Sequence, residues 1–130
     1  MKRTAFFILG LLAICGIAAS AQNLRVRESL SMHSRILNQE VRFSVYLPVN
    51  YFERDVHYPV VYLLHGLGDD ETSWLEYGQI GQYADLSVNS GESVPMIFVM
   101  PQGFRTYYVN DYKGSFLYQD MFVKELVPYI

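Results

Sequence analysis

Hydrophobic and polar positions alternate near the start of the chain and merge into continuous apolar runs further along. Over residues 41–47, apolar side chains occupy every second position, which is the period of a strand with one buried face. Residues 26–37 are predicted to form its antiparallel partner, with the turn at Asn38-Gln39-Glu40. This part of the sequence therefore predicts an antiparallel hairpin at the edge of a sheet.

Two continuous apolar runs follow, at residues 60–64 and 96–100. Such runs are typical of central strands in a parallel sheet that helices cover on both faces. Residues 77–89 between the runs predict a crossover helix, and the apolar spacing over 118–130 predicts a second helix. Pro128 is unfavourable inside a helix, so this second helix is expected to end near the last residue. The order of elements predicts an α/β fold.

The first 21 residues have the three parts of a secretory signal peptide. Lys2 and Arg3 are followed by an apolar stretch over residues 5–18 and a small-x-small cleavage site over 19–21. The stretch is short for a membrane span, which needs about 20 residues. We therefore expect cleavage after residue 21, a secreted or periplasmic protein, and no stable membrane insertion of the mature part, residues 22–130. An uncleaved anchor is the alternative.

Composition and charge indicate which classes of ligand and partner the protein can bind. The chain is 51% hydrophobic and 18% charged, which is typical of a folded domain rather than a disordered one. Its net charge of −3 disfavours nucleic acid, because phosphate binding needs a basic face. The only cysteine, Cys15, lies in the predicted signal peptide, so no disulfide or cysteine-ligated metal is expected. Asp69-Asp70-Glu71 could bind calcium, but such carboxylates more commonly accept N–H groups at a helix start. No cofactor or metal is predicted.

The loop after the first apolar run carries the strongest chemical signal. His65-Gly66-Leu67-Gly68 follows a strand at its carboxyl end, where open α/β sheets bind their ligands. Glycines allow the backbone to turn tightly and leave N–H groups unshielded. Such an N–H can form part of an oxyanion hole, which stabilises the negative oxygen that develops during attack on an ester.

These residues resemble the putative-esterase family of α/β-hydrolases, which includes feruloyl esterases, S-formylglutathione hydrolases and mycolyltransferases. The resemblance rests on residues 58–66 and 69–74 and continues through 99–101 to the closing helix. It implies the N-terminal portion of an α/β-hydrolase fold: an antiparallel edge hairpin, central parallel strands and flanking helices. It also implies a secreted serine esterase that acts on acyl or aryl esters of carbohydrate. By this resemblance the Leu67 N–H is an oxyanion donor, and Gly66 and His65 shape its loop, His65 not acting as a base.

The sequence departs from the family at the nucleophile. Its 130 residues contain no Gly-x-Ser-x-Gly, the strained turn that holds the catalytic serine. The acid and histidine that follow this serine in the family are also missing, so we expect an inactive fragment without a Ser-Asp/Glu-His triad. An acyltransferase of the same family is one alternative. A non-catalytic extracellular carbohydrate-binding protein is another, and it would need no nucleophile.

Aromatic residues beside the loop are candidates for substrate contact. Trp74 follows the oxyanion loop, and Tyr107 and Tyr108 lie in the long loop after the second apolar run. Their rings could stack on sugar or aryl groups of a small-molecule or carbohydrate ester, or they could pack against the sheet. Asn110 and Asp111 could hydrogen-bond a sugar or form a turn.

Overall fold

The computed structural model describes residues 25–130, in which a four-stranded sheet lies between helices. The strands are β1 (Val26–Ser34), β2 (Gln39–Tyr46), β3 (Val60–Tyr62) and β4 (Ile97–Pro101). The helices are α1 (Ser73–Glu76), α2 (Ile80–Asn89), α3 (Tyr118–Met121) and α4 (Val127–Tyr129). A π-helical turn, Phe122–Leu126, joins α3 and α4 into one closing helix. The predicted signal peptide, residues 1–21, lies outside the described residues.

The strand order is β1-β2-β4-β3, with antiparallel pairing except between β3 and β4. The predicted hairpin is confirmed, but its turn lies at 35–38, where Asn38 adopts a left-handed backbone with φ 53°. The predicted parallel pair is also present. Among the described residues, β3 pairs with β4 alone, and Val60 is 41% exposed.

Each face of the sheet packs against helices, as predicted. Side chains alternate along β4, so Val99 faces the closing helix while Phe98 and Met100 face α1 and α2. The cluster under the closing helix contains fully buried residues from β2, β4 and the helix itself: Val41, Val99, Tyr118, Met121 and Leu126. The described residues therefore have a helix-sheet-helix arrangement.

The two predicted helices, over 77–89 and 118–130, differ from the structure in where one begins and in the internal geometry of the other. The helix expected over 77–89 corresponds to α2, which begins later, at Ile80; the short helix α1 precedes the predicted range and ends at Glu76. A Cβ on Gly78 would lie 2.8 Å from the Trp74 carbonyl oxygen, and Gln79 has φ 47°, so the chain turns there. The closing helix extends to Tyr129 as predicted. The wider π-helical turn ends at Leu126, two residues before Pro128, which has no N–H to donate.

The end of the sheet where β4 begins is closed by Arg25, Tyr46 and Asp85, which we call the rear clamp. The Arg25 guanidinium contacts both Asp85 carboxylate oxygens, at 2.8 and 3.1 Å, and the Tyr46 hydroxyl donates to the same carboxylate at 2.6 Å. Burial raises the pKa of Asp85, but the hydrogen bonds from Arg25 and Tyr46 outweigh it and hold this pKa below its usual value.

Within residues 25–130, no helix combines the length and the apolar character that crossing a bilayer would require.

Candidate active site

The opposite end of the sheet brings two loops together. Because β3 and β4 are parallel, the loops that follow them, 63–72 and 102–117, leave the sheet at the same edge. His65 is buried between these loops. Its Nε2 accepts the Gly103 N–H at 2.8 Å, so the ring proton resides on Nδ1, which donates to the Gly66 carbonyl at 2.8 Å. Both ring nitrogens are therefore engaged with backbone, which supports the predicted loop-shaping role.

The segment Gly66–Asp69, which we call the oxyanion turn, is a tight backbone turn. The Asp69 N–H donates to the Gly66 carbonyl at 3.2 Å, with Leu67 and Gly68 as the two central residues. Gly68 has φ 95°, the conformation that a type II turn requires at this position and that favours glycine. Leu67 is 74% exposed, and none of the hydrogen bonds among the described residues is donated by its N–H. This N–H can therefore donate to a ligand oxygen.

Side chains just after the turn hold its distal end. Asp70 accepts hydrogen bonds from the N–H and hydroxyl of Thr72, both at 2.8 Å, and these bonds lower the pKa of Asp70. The accepted N–H belongs to Thr72, the residue before α1, and no side chain caps α1, so the predicted acceptance of helix-start N–H groups by this cluster is not observed. The Trp74 indole N–H donates to the Leu64 carbonyl at 3.1 Å. Over residues 25–130, no three side chains of the metal-ligating types converge on one point.

Tyr108 braces the second loop against the first. Its hydroxyl donates to the His65 carbonyl at 2.9 Å, and its ring meets that of Tyr118 edge-on at 5.5 Å. Burial raises the pKa of Tyr108. A Cβ on Gly103 would lie 2.5 Å from the Tyr108 ring, so only glycine fits there. Tyr108 is thus fixed against the protein, whereas the adjacent Tyr107 is 81% exposed.

The loop 102–117 holds backbone conformations that the sequence did not indicate. Phe104, Tyr107 and Tyr108 have φ values of 52°, 51° and 60°, in the left-handed region that bulky side chains seldom adopt. Such strain is most common at binding and catalytic sites. Asn110 accepts the Asp120 N–H at 3.1 Å, and Asp111 accepts the Ser115 N–H at 2.8 Å. These bonds fit the turn-forming alternative for Asn110 and Asp111.

Two grooves flank the oxyanion turn. Trp74 and Tyr77 line the groove on one side. Leu67, Arg105 and Tyr107 line the other, which has a volume of about 230 Å³. The structure therefore places the predicted residues Trp74 and Tyr107 in two different grooves, both of which are lined by His65 and Gly66. Arg105, an exposed cation that lies between aromatic residues of the same loop, was not predicted from the sequence.

Comparison with known proteins gives a consistent result. Residues 34–130 match the model of the family described as "Putative esterase". A curated relative, the endo-1,4-beta-xylanase/feruloyl esterase of Xylanibacter ruminicola, is 36% identical; the match covers 67% of this chain and 13% of the relative.

Solved structures agree with this match. A ferulic acid esterase superposes with a TM-score of 0.72 at 29% identity, covering 80% of this chain and 42% of that one. A ferulic acid esterase of Anaeromyces mucronatus, solved with ferulic acid, gives 0.64 at 27% identity, with coverage of 78% and 40%. An S-formylglutathione hydrolase of Staphylococcus aureus gives 0.57 at 27%, with coverage of 81% and 41%. The described residues thus have the α/β-hydrolase fold, and the chain spans well under half the length of these relatives.

Proposed function

The chain belongs to the putative-esterase family of α/β-hydrolases, and from this premise we propose that it is part of a secreted serine esterase. The proposed substrates are acyl or aryl esters of carbohydrate. Relatives named as feruloyl or ferulic acid esterases support this substrate class. Secretion is proposed from the signal-peptide pattern of residues 1–21.

The observation that carries this proposal is the Leu67 N–H in the oxyanion turn. It lies in an exposed turn at the carboxyl edge of the parallel strands, where ligands of α/β sheets bind. When a serine attacks the ester carbonyl, the carbonyl oxygen becomes negative, and this N–H would donate to it. One donor of this kind contributes about 3 kcal/mol to transition-state stabilisation. His65 and Gly66 would hold the donor in place.

We propose that the serine, its histidine base and the acid come from outside these 130 residues. The absence of Gly-x-Ser-x-Gly from the sequence supports this. A serine hydroxyl needs an adjacent base to become a nucleophile, and His65 has both ring nitrogens engaged with backbone. The chain alone would therefore be inactive.

Trp74 and Tyr107 are proposed to contact the substrate from two grooves beside the turn. Both line grooves that open beside Gly66 and Leu67, and aromatic rings can stack on sugar or aryl groups. Tyr108 is proposed to act indirectly, because its hydroxyl is engaged with the His65 carbonyl.

The test uses the protein as its source organism produces it. The purified protein is incubated with methyl ferulate and, separately, with a fluorophosphonate probe that labels active serines, and its intact mass is measured. We expect release of ferulate and one label on a serine outside residues 1–130. Acyl transfer to an added alcohol in preference to water would identify an acyltransferase instead. Binding of feruloylated oligosaccharide with neither hydrolysis nor label would favour the non-catalytic alternative.

A further inference from the structure

Glu71 is a buried carboxylate near the end of the loop 63–72, two residues after the oxyanion turn. Its side chain is 1% exposed. The Oε1 atom accepts the Ser29 hydroxyl at 2.9 Å and pairs with the Arg42 guanidinium at 3.2 Å, while Oε2 meets no donor among the described residues. Burying an ionised carboxylate costs several kcal/mol unless it is well paired. The burial of the Glu71 carboxylate therefore costs free energy, and hydrophobic packing alone does not require a carboxylate at this position.

A distortion in β1 brings Ser29 to Glu71. The pairing register of β1 shifts between Arg27 and Leu30, and Ser29 has φ 48°. Such bulges redirect a side chain and are common beside active sites. The Ser44 hydroxyl accepts the Ser29 N–H at 3.1 Å and fixes the distorted backbone. The bulge thus allows the Ser29 hydroxyl to reach a carboxylate that lies 42 residues further along the chain.

We propose that Glu71 is a positioning residue that orients the Leu67 N–H, an inference that rests on the proposed function of Leu67. His65 attaches the start of the loop to Gly103, and Glu71 attaches its end to β1 and β2. Only residues 66–70 lie between these two anchors. An oxyanion donor is effective because it is oriented before the reaction, so loss of either anchor should reduce transition-state stabilisation.

The kinetic test compares Glu71→Ala with Glu76→Ala in the protein as its source organism produces it. Glu76 is exposed on α1 and forms no ion pair among the described residues, so it is the matched control. With methyl ferulate as substrate and active sites counted by fluorophosphonate labelling, kcat per labelled site should fall roughly 10- to 100-fold in Glu71→Ala. KM should stay within about 2-fold, because the donor acts mainly in the transition state. An unchanged kcat per labelled site would overturn the proposal.

Ser29→Ala is the milder second variant in case Glu71→Ala folds poorly. It removes one hydrogen bond to Glu71 and leaves the charge pair with Arg42 intact. We expect kcat per labelled site to decrease by less than it does in Glu71→Ala, and KM to change little. Wild-type kcat in a folded Ser29→Ala protein would contradict the role given to the bulge.

The NMR signal of the Leu67 N–H tests this proposal separately from the proposed function. In isotopically labelled protein, Glu71→Ala should shift or broaden the Leu67 N–H signal, while Glu76→Ala should leave it unchanged. This measurement needs no activity. A wild-type protein without esterase activity would refute the proposed function and leave the positioning role testable, whereas an unmoved Leu67 signal would refute the positioning role even in an active enzyme.

Discussion

At the end of the sheet where β4 begins, the rear clamp of Arg25, Tyr46 and Asp85 joins β1, β2 and α2 through charged hydrogen bonds. The Arg25 and Asp85 side chains are 15% and 28% exposed. At the other end, hydrogen bonds between the backbone and the side chains of His65 and Tyr108 join two loops, and the Glu71–Arg42 ion pair holds the end of the first loop. Leu67 and Tyr107 there are 74% and 81% exposed. At the first end the polar side chains hydrogen-bond to one another. At the second end an N–H and an aromatic ring are available to a ligand.

This difference distinguishes an end of the sheet that is closed by its own polar groups from an end that is open to a ligand. Charge-assisted hydrogen bonds in a partly buried site are about twice as strong as neutral ones. The rear clamp therefore stabilises the fold, and the strained loop 102–117 can be held at the opposite end. Substitutions at the rear should change global stability, and substitutions at the front should change local order.

The largest effect on stability is expected from Asp85→Ala. It leaves Arg25 and the Tyr46 hydroxyl without their shared acceptor, so the free energy of unfolding should decrease by about 3 kcal/mol. Urea denaturation measures this decrease, with the exposed Asp55→Ala as control. Amide exchange in residues 66–69 should not accelerate beyond the global change. Selective loosening of those residues would contradict the separation of the two ends.

His65→Ala should have an intermediate effect. The change leaves the Gly103 N–H without its acceptor and removes one of the two donors to the Gly66 carbonyl, which should cost about 2 kcal/mol. Hydrogen exchange should accelerate most in residues 66–69 and 103–108, because His65 joins these segments. His57→Ala, at an exposed position, serves as control. Exchange that accelerates equally across the sheet would show that His65 stabilises the whole fold and not the two loops.

The smallest effect is expected from Tyr108→Phe, which removes one neutral hydrogen bond to the His65 carbonyl. Its loss should lower the free energy of unfolding by about 1 kcal/mol, and Tyr107→Phe at the adjacent exposed position should change it by less than about 0.5 kcal/mol. The two urea midpoints provide the comparison. Equal midpoints would mean that Tyr108 does not brace the loop.

Short-range patterns predicted much of this fold. The alternation over 41–47 and the apolar run over 96–100 correspond to β2 and β4, because strand period and apolar runs are local features. The α/β order and the loop at His65 could also be predicted. The strand order β1-β2-β4-β3 could not, since it depends on which strands pair over long distances in the sequence.

The parts of the site that sequence analysis missed also depend on long-range contacts. Glu71 resembled a helix-start carboxylate, but its partners Ser29 and Arg42 belong to strands far away in the sequence. For Tyr108 the sequence left ligand stacking and packing both open, and the Gly103 backbone and the His65 carbonyl determine its position. Neither role produces a periodic pattern.

The most direct test of the oxyanion assignment is the kcat of Leu67→Pro in the protein as its source organism produces it. Leu67 is at the first central position of a type II turn, where proline fits, so this variant removes the N–H and preserves the turn. Leu67→Ala keeps the N–H and is the control. With methyl ferulate, kcat should fall roughly 100- to 1,000-fold in Leu67→Pro and stay within a few-fold of wild type in Leu67→Ala. Full activity in a folded Leu67→Pro protein would contradict the assignment.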